Sequence, residues 1–256
     1  SDTTGVALAV ALNADEFQIY TDVDGIFTTD PRVCSKARLL KEISFEEMLE
    51  LSSSGAKVLQ LRSVEYASKF NLPIRVLSSF NEGNGTLVQE EKNIMERPIV
   101  SGISSIDTEA KLTIRGVPDV PGIAAKILSP ISEAGIEVDV IVQNISADNC
   151  TDFTFTVDKG DAENAKEILQ KTSVSLGGGL VEVDHDIAKI SVVGRGMRAH
   201  AGVASKMFQA LAKDEINISM ITTSEIKISV VIKESEMKKA VTALHNAFDL
   251  DKELDS

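Results

Sequence analysis

Cysteines, clustered basic residues and long apolar runs are scarce in this sequence of 256 residues. The two cysteines, Cys34 and Cys150, are far apart and lack metal-ligand spacing, which predicts reduced thiols, no disulfide and a cytoplasmic location. The longest mostly apolar run, residues 5–12, is far shorter than the roughly 18 residues that a membrane helix needs. These shortages exclude a disulfide-stapled secreted domain and a membrane protein.

Negative charge is spread along the whole chain, with a net charge of −13. Before residue 98 there are 10 Lys and Arg against 15 Asp and Glu, and afterwards 16 against 24. Nucleic-acid binding needs clustered Lys or Arg, so we expect no nucleic-acid partner. The length suits one large domain or two to three small domains, and because the chain begins with Ser1 rather than Met, we expect a fragment or a processed product.

A strand, a turn with a glycine and a helix occur twice after residue 98. Gly202 follows Gly122 by 80 residues, and the lysines of the preceding strands, Lys111 and Lys189, are 78 residues apart. So nearly constant an offset indicates a duplicated unit. Each copy continues with two strands and a helix, which is the ferredoxin-like βαββαβ order. Pro130 inside the first helix is expected to kink it or end it early.

Strands and helices alternate before residue 98, which predicts part of a mixed or parallel α/β sheet. The expected elements are an Ala-rich helix ending near residue 12, strands at 17–21 and 73–77, a helix opened by a capping box of Ser44 and Glu47, and a helix over 57–69. A polar linker over 89–97 follows.

The polar loop of residues 21–32 directly follows a strand, where α/β proteins usually place ligand groups. A calcium loop is excluded, because it needs glycine at the sixth position and an acid at the twelfth, whereas Gly25 is fourth and Val33 is twelfth. A solvated turn remains the alternative. Lys57, beside a glycine at the predicted helix start, is a second candidate phosphate contact. A surface lysine is the alternative there.

The first repeat turn suits an amino acid ligand. Asp119 and Pro121 are expected to start a helix whose free N–H groups can hold a carboxylate. Asp139 and Gln143, four residues apart on the next strand, share a face where a carboxylate could pair with an ammonium group. The alternatives are that Asp119 only caps the helix and that Asp139 is a rim charge.

Residues 194–199 match the glycine pattern of dinucleotide-binding folds. Only about sixty residues remain after this segment, and no suitable acid ends the next strand. The first repeat has the same fold signals without the pattern. We therefore expect these glycines to shape a tight turn.

Residues 21–32, with Ser1 to Thr4 and Ser54 to Lys57, closely resemble the aspartokinase branch of the amino acid kinase family. The tandem repeats resemble the ACT domains that follow the kinase in that family, including residues 142–146, 151–154 and 222–226. The resemblance covers nearly the whole chain. It implies the carboxyl-terminal part of an amino acid kinase α/β/α sandwich over residues 1–97, and ferredoxin-like ACT domains over 98–187 and 188–256.

The resemblance implies ATP-dependent phosphorylation of the aspartate side chain, with Mg²⁺ accompanying the ATP. The implied contacts are Thr21, Asp22 and Arg32 with the nucleotide, Phe27 beside the base, Lys57 near the phosphates as a catalytic cation, and Ser1 near aspartate. The family's N-terminal Lys-Phe-Gly-Gly type motif, substrate-binding acid and arginine are not found in these residues. We therefore expect this polypeptide alone to be inactive as a kinase.

The resemblance also implies feedback control by lysine, threonine or both. The implied inhibitor contacts are Asp119, Gly122, Ala124, Ile136, Asp139 and Gln143, closed by Asn217 and Ile218. A second effector site is implied at Ser146, Thr154, Ser224 and Glu225. A homodimer or hetero-oligomer through the ACT domains is expected. The alternative function is a non-catalytic regulatory subunit that senses amino acids.

Overall fold

The computed structural model of the protein describes residues 1–93, 99–145, 150–177, 179–195, 197 and 202–252. The described strands are β1 (Phe17–Thr21), β2 (Glu42–Ser44), β3 (Ile74–Ser78), β4 (Thr86–Gln89), β5 (Gly102–Ile106), β6 (Glu109–Pro118), β7 (Ile141–Ile145), β8 (Cys150–Asp158), β9 (Val181–Asp184), β10 (Ile187–Val193), β11 (Met220–Thr223) and β12 (Lys227–Lys233). The described helices are α1 (Asp2–Ala11), α2 (Phe45–Ser53), α3 (Leu61–Phe70), α4 (Ile123–Glu133), α5 (Ala162–Leu176), α6 (Gly202–Lys213) and α7 (Met237–Ala247). Among these residues, no helix combines the length and apolarity needed to cross a bilayer.

The chain forms two compact units, a larger one of residues 1–106 and 189–256 and a smaller one of residues 107–188. The first sheet of the larger unit has the strand order β1-β3-β4-β2. β1 is parallel to β3 and β2 is parallel to β4, whereas β3 and β4 are antiparallel. The predicted mixed α/β sheet is therefore confirmed. Its core with α1 to α3 includes Val6, Met48, Val64, Ile74 and Val88.

The predicted capping box at the start of α2 is confirmed. The Glu47 N–H donates to the Ser44 hydroxyl at 3.2 Å, and the Ser44 N–H donates to the Glu47 carboxylate at 3.2 Å. Two of the free N–H groups at the helix start are thereby satisfied. The Ser101 hydroxyl also donates to Glu47, which ties the approach to β5 to this helix start.

The second sheet of the larger unit includes β5, a strand that lies far before the second repeat in the sequence. Its order is β11-β12-β10-β5, and β5 runs antiparallel to β10, with Ile106 opposite Lys189 and Gly102 opposite Val193. The predicted first ACT domain, residues 98–187, includes β5. In the structure β5 instead belongs to the sheet of the second repeat, which also contains the helices α6 and α7.

Gly194 serves a close backbone approach. A Cβ atom at this position would lie 2.0 Å from the Ile99 carbonyl oxygen, and the Ser101 N–H donates to the Val193 carbonyl at 2.9 Å. Only glycine admits the chain that leads into β5 at such a distance. This packing accounts for the first glycine of the pattern at residues 194–199, for which the sequence predicted only a tight turn.

The smaller unit is a complete ferredoxin-like repeat. Its strand order is β7-β8-β6-β9, and every neighbouring pair is antiparallel. α4 and α5 contribute to its core, which includes Leu112, Ile127, Phe153, Phe155 and Leu169. In the second repeat, β5 lies beside β10 as β9 lies beside β6.

Two elements of the smaller unit extend further or begin later than expected. Pro130 was expected to kink α4 or end it early, and α4 continues past it to Glu133, with Ile131 fully buried. Asp139 was predicted on the next strand, but β7 begins only at Ile141, and Gly135, with a φ of 73°, closes the helix end.

Candidate functional sites

The buried hydroxyl of Thr86 anchors the loop of residues 21–32 at Ile26. The fully buried Thr86 accepts the Ile26 N–H at 2.9 Å and donates to the Leu40 carbonyl at 2.6 Å. A Cβ atom at Gly25, whose φ is 148°, would lie 2.6 Å from the Thr86 hydroxyl oxygen. The glycine thus lets the loop descend onto Thr86, and the middle of the loop is fixed.

The first half of the loop is tied to the connection between β3 and β4. The Asn81 amide donates to the Asp24 carboxylate at 2.8 Å. This bond, with a weaker one from Ser78, lowers the pKa of Asp24 below its ordinary value. Among the described residues, no group of three or more His, Cys, Asp or Glu side chains is arranged to hold a metal ion.

The second half of the loop carries an exposed ion pair. The Arg32 guanidinium lies 2.8 Å from the Asp30 carboxylate, and the Arg32 N–H donates to the same carboxylate at 2.8 Å. The hydrogen bond from Arg32 lowers the pKa of Asp30, and Asp30 in turn raises the pKa of Arg32. The Arg32 side chain is 86% exposed, so its remaining donors face solvent.

The other residues of this loop that are predicted to contact the nucleotide are Thr21, Asp22 and Phe27. The half-buried Thr21 donates from its hydroxyl to the exposed Asp22 carboxylate at 3.1 Å. Phe27 is half-buried and pairs with Leu39 through an isolated bridge. Carboxylate and guanidinium groups of this kind can bond ribose hydroxyls and phosphates.

Lys57 does not start a helix, contrary to the prediction. α3 begins at Leu61, and Gln60 before it has the extended φ and ψ of −73° and 131°. The Ser63 and Val64 N–H groups both donate to the Gln60 carbonyl, which fixes the helix start there. Lys57 is exposed on the preceding loop, so its ammonium group does not adjoin the first turn of a helix.

Ser1 is the exposed N-cap residue of α1. Two residues along, the Thr3 hydroxyl donates to the Gln60 side chain at 3.1 Å. The first turn of α1 is therefore bonded to Gln60, the residue before α3, which follows Lys57 by three positions.

The first repeat turn is shaped by glycines. Gly116 has a φ of 63° at an irregularity of β6, and its N–H donates to the Asp152 carboxylate at 2.9 Å. Gly122, with a φ of 88°, is the N-cap of α4. The half-buried Asp119 therefore precedes the cap by three residues, and the prediction that it starts or caps the helix is wrong. Ala124 is half-buried within the first turn of α4.

The strand after α4 contains Gln143, as predicted, but it does not include Asp139. Asp139 lies before β7, although its N–H donates to the Thr156 carbonyl at 3.1 Å. Both side chains are exposed, at positions of the same parity, whereas Ile136 is 5% exposed and belongs to the core. Thr154 lies on β8 with its hydroxyl 3.0 Å from that of Thr113.

The predicted effector residues of the second repeat lie at the two ends of β11. Asn217 is exposed and Ile218 is half-buried before the strand. Ser224 and Glu225 form the turn to β12, where the Glu225 carbonyl accepts the Met197 N–H at 2.9 Å. Ser146, predicted beside them, lies outside the described residues.

Sequence reasoning missed a buried contact between α7 and the loop. His245 Nε2 lies 2.9 Å from the Thr28 hydroxyl oxygen, and both residues are fully buried. The available signal was weak: His245 follows Val241 by four residues on the apolar face of α7. Thr28 gave no signal, because it lies in a polar loop whose composition predicts exposure to solvent.

Comparisons with known proteins match three segments of the chain. The amino acid kinase family model matches residues 1–78, and ACT domain models match residues 112–173 and 190–248. Aspartokinase from Pseudomonas aeruginosa is 63% identical over 98% of this chain, and the chain spans 61% of that relative's length.

Solved structures of aspartate kinases also match this chain. E. coli aspartokinase III in complex with aspartate and ADP has a TM-score of 0.82 and 28% identity, and the match covers 97% of this chain and 55% of that one. The same enzyme was also solved in complex with lysine and aspartate. The regulatory subunit of aspartate kinase from Thermus thermophilus is 40% identical with a TM-score of 0.56, over 59% of this chain and 99% of that one.

Proposed function

The chain belongs to the aspartokinase family, and we propose that it is the nucleotide-binding and regulatory part of an ATP-dependent aspartate kinase. The observation that carries the proposal is the loop of residues 21–32, polar on its outside and anchored by the buried Thr86, in a chain that also contains two ACT repeats. The product would be aspartate phosphorylated on its side-chain carboxylate, the entry to lysine, threonine and methionine synthesis.

The donor set of the loop fits a nucleotide. Asp22 and Thr21 offer acceptors and a hydroxyl for the ribose, Arg32 offers exposed donors for phosphate, and Phe27 offers an apolar edge for the base. Bound ATP with Mg²⁺ supplies the phosphoryl group. Lys57 provides a cation that stabilises charge developing during transfer.

Aspartate is proposed to bind near Ser1, at the end of α1 that contacts Gln60. The family's N-terminal motif is not found in these 256 residues, and we expect the purified chain alone to form no aspartyl phosphate. A hydroxylamine trapping assay tests this, and aspartyl phosphate formed by the chain would contradict it.

Lysine, threonine or both are proposed as effectors of the ACT repeats. Asp139 before β7 and Gln143 on β7 are both exposed and can bond the ammonium group, and the N–H groups at Gly122 can hold the carboxylate. The complex of the E. coli relative with lysine and aspartate supports this effector class. A homodimer or hetero-oligomer through the ACT repeats is the proposed assembly, which analytical ultracentrifugation tests.

Calorimetric titration of the chain with ATP and Mg²⁺ tests the nucleotide site. Arg32→Ala and Asp22→Asn should each weaken binding about tenfold, since each removes a charge-assisted hydrogen bond. Lys69→Ala, a matched loss of one exposed cation on α3, should leave binding unchanged. Equal effects of Arg32→Ala and Lys69→Ala would contradict a site at the loop.

A regulatory subunit that only senses amino acids is the second candidate. It is favoured by the match to almost the whole regulatory subunit from Thermus thermophilus. A pure sensor has no use for a nucleotide loop, however, and residues 1–78 match the amino acid kinase family. Binding of effector without any binding of ATP would favour the sensor.

A further inference from the structure

The contact between Thr28 and His245 joins two segments that are far apart in sequence. The atoms are 2.9 Å apart, the residues are separated by 217 positions, and neither side chain reaches solvent. Thr28 belongs to the loop of residues 21–32. His245 lies on α7 of the second repeat, within the same compact unit.

The Thr28 hydroxyl makes a second hydrogen bond. The Arg38 N–H donates to the Thr28 oxygen at 3.0 Å, which leaves the hydroxyl proton available to His245 Nε2 when the imidazole is neutral with its proton on Nδ1. Nδ1 has no hydrogen-bond partner among the described residues. Burial lowers the pKa of His245 and so favours this neutral acceptor.

The backbone of Thr28 is fixed from two further directions. Its N–H donates to the Arg38 carbonyl at 2.8 Å, and its carbonyl accepts the Ile103 N–H at 2.7 Å. Ile103 is on β5, which belongs to the sheet of the second repeat. Thr28 is therefore held by a strand and by a helix of the regulatory repeat together.

His245 is a polar exception on an apolar helix face. The other fully buried residues of α7 are Ala240, Val241 and Leu244. A leucine at position 245 would add apolar burial without the desolvation of an imidazole. A buried polar pair instead specifies one geometry, because its hydrogen bond is directional and each partner is costly to leave unpaired.

We propose that His245 is a positioning residue for the nucleotide loop, and that its bond to Thr28 links the second ACT repeat to nucleotide binding. Thr28 directly follows Phe27 and precedes Arg32 by four residues. Fixing Thr28 therefore fixes the backbone of the segment that carries both side chains. The inference rests on the proposed function, since it assumes that this loop binds ATP.

The test compares four single variants and one double variant of the full chain by titration with ATP and Mg²⁺. His245→Gln keeps an acceptor at the position of Nε2, whereas His245→Asn carries the same amide at the position of Nδ1 and cannot reach Thr28. Asn and Leu at this position should each weaken nucleotide binding about tenfold, and Gln should stay within about twofold of the wild type. Thr28→Val also removes the acceptor of the Arg38 N–H, so it should weaken binding at least as much as Asn, and the Thr28→Val, His245→Asn double variant should lose no more than Thr28→Val alone.

Hydrogen exchange of the amides of residues 26–32 separates this inference from the proposed function. Exchange should be about tenfold faster in His245→Asn than in His245→Gln, whether or not ATP is present. If the wild type does not bind ATP, the proposed nucleotide site fails, and a faster exchange in Asn than in Gln still supports the positioning role. Equal exchange in Gln and Asn, or additive losses in the double variant, would overturn it. If His245→Leu does not fold, the comparison of Gln with Asn decides.

Discussion

The hydroxyl of Thr154 lies 3.0 Å from the hydroxyl of Thr113 across the antiparallel pair of β6 and β8. Thr113 is only 8% exposed, so its hydroxyl depends on this partner. Phe153 and Phe155, on either side of Thr154, face the core below the helices. The Thr154 side chain therefore lies on the face of the sheet that points away from the core. The family resemblance implies that Thr154 contacts an effector there.

Thr154→Ile is expected to relieve feedback inhibition of the intact enzyme by about tenfold in effector concentration, the equivalent of about 1.4 kcal/mol. Isoleucine removes the hydroxyl bond and fills the strand face with an apolar branch. Inhibition curves with threonine and lysine measure the effect. Thr154→Ser, which keeps the hydroxyl, is the control, and an unchanged curve for the isoleucine variant would refute the assignment.

Thr86→Val should destabilise the larger unit by about 1–3 kcal/mol, because it leaves the Ile26 N–H and the Leu40 carbonyl buried without their partner at nearly constant volume. Urea unfolding measures the change. Thr4→Val, at an exposed position of α1, is the matched control. A loss no larger than that of the control would show that the loop is not anchored through Thr86.

Stability should fall on acidification through His245. Its pKa is lowered in the folded state, first by burial and then by Lys36 and Arg38, while Asp251 acts in the opposite direction. Above the ordinary value of about 6.5 the imidazole is neutral in both states, so its contribution is fully present. Below that value the unfolded chain takes up a proton that the folded chain resists, and stability declines until the pH reaches the lowered folded pKa.

Unfolding in urea between pH 5 and 8 measures this decline. His245→Gln should remove the part of the slope below about pH 6.5. The exposed His185 lies 3.4 Å from the Glu163 carboxylate, and His185→Gln measures the part of the slope that comes from a histidine outside this contact. A wild-type slope in His245→Gln would contradict the assignment.

Glu16 and Arg75 should be coupled by about 1 kcal/mol in a double-mutant cycle. The guanidinium contacts both carboxylate oxygens, the closest at 2.7 Å, and the side chains are only 25% and 28% exposed. Arg75 lowers the pKa of Glu16, so the coupling is present above the ordinary value of about 4.3 and is lost as the pH falls through the lowered one. The exposed pair of Asp249 and Lys252 should couple less, and equal coupling would argue that the Glu16 pair is solvent-screened.

Elements defined by neighbouring residues could be predicted from the sequence. The strand over 17–21 has the predicted bounds, and the capping box at Ser44 and Glu47 forms as expected, because both depend on side chains within one turn or strand. The internal repeat likewise follows from periodicity. The helix start near Lys57 was misplaced, since nothing local distinguishes it from Leu61.

Features that depend on distant partners could not be predicted. β5 joins β10 across more than eighty residues, and Gly194 is explained only by the backbone of Ile99 beside it. Thr28 and His245 are 217 positions apart in the sequence and meet only in the folded chain. Such pairings are set by tertiary packing, for which a single sequence carries little signal.

Thermal unfolding of the chain with L-threonine, L-lysine or both, against L-alanine as control, tests most directly that its repeats sense the amino acids of the proposed pathway. A ligand at a hundred times its dissociation constant should add about 2.7 kcal/mol to the folded state. We expect a higher Tm with threonine or lysine and an unchanged Tm with alanine. No shift with threonine, lysine or their mixture would contradict the effector site at Asp139 and Gly122.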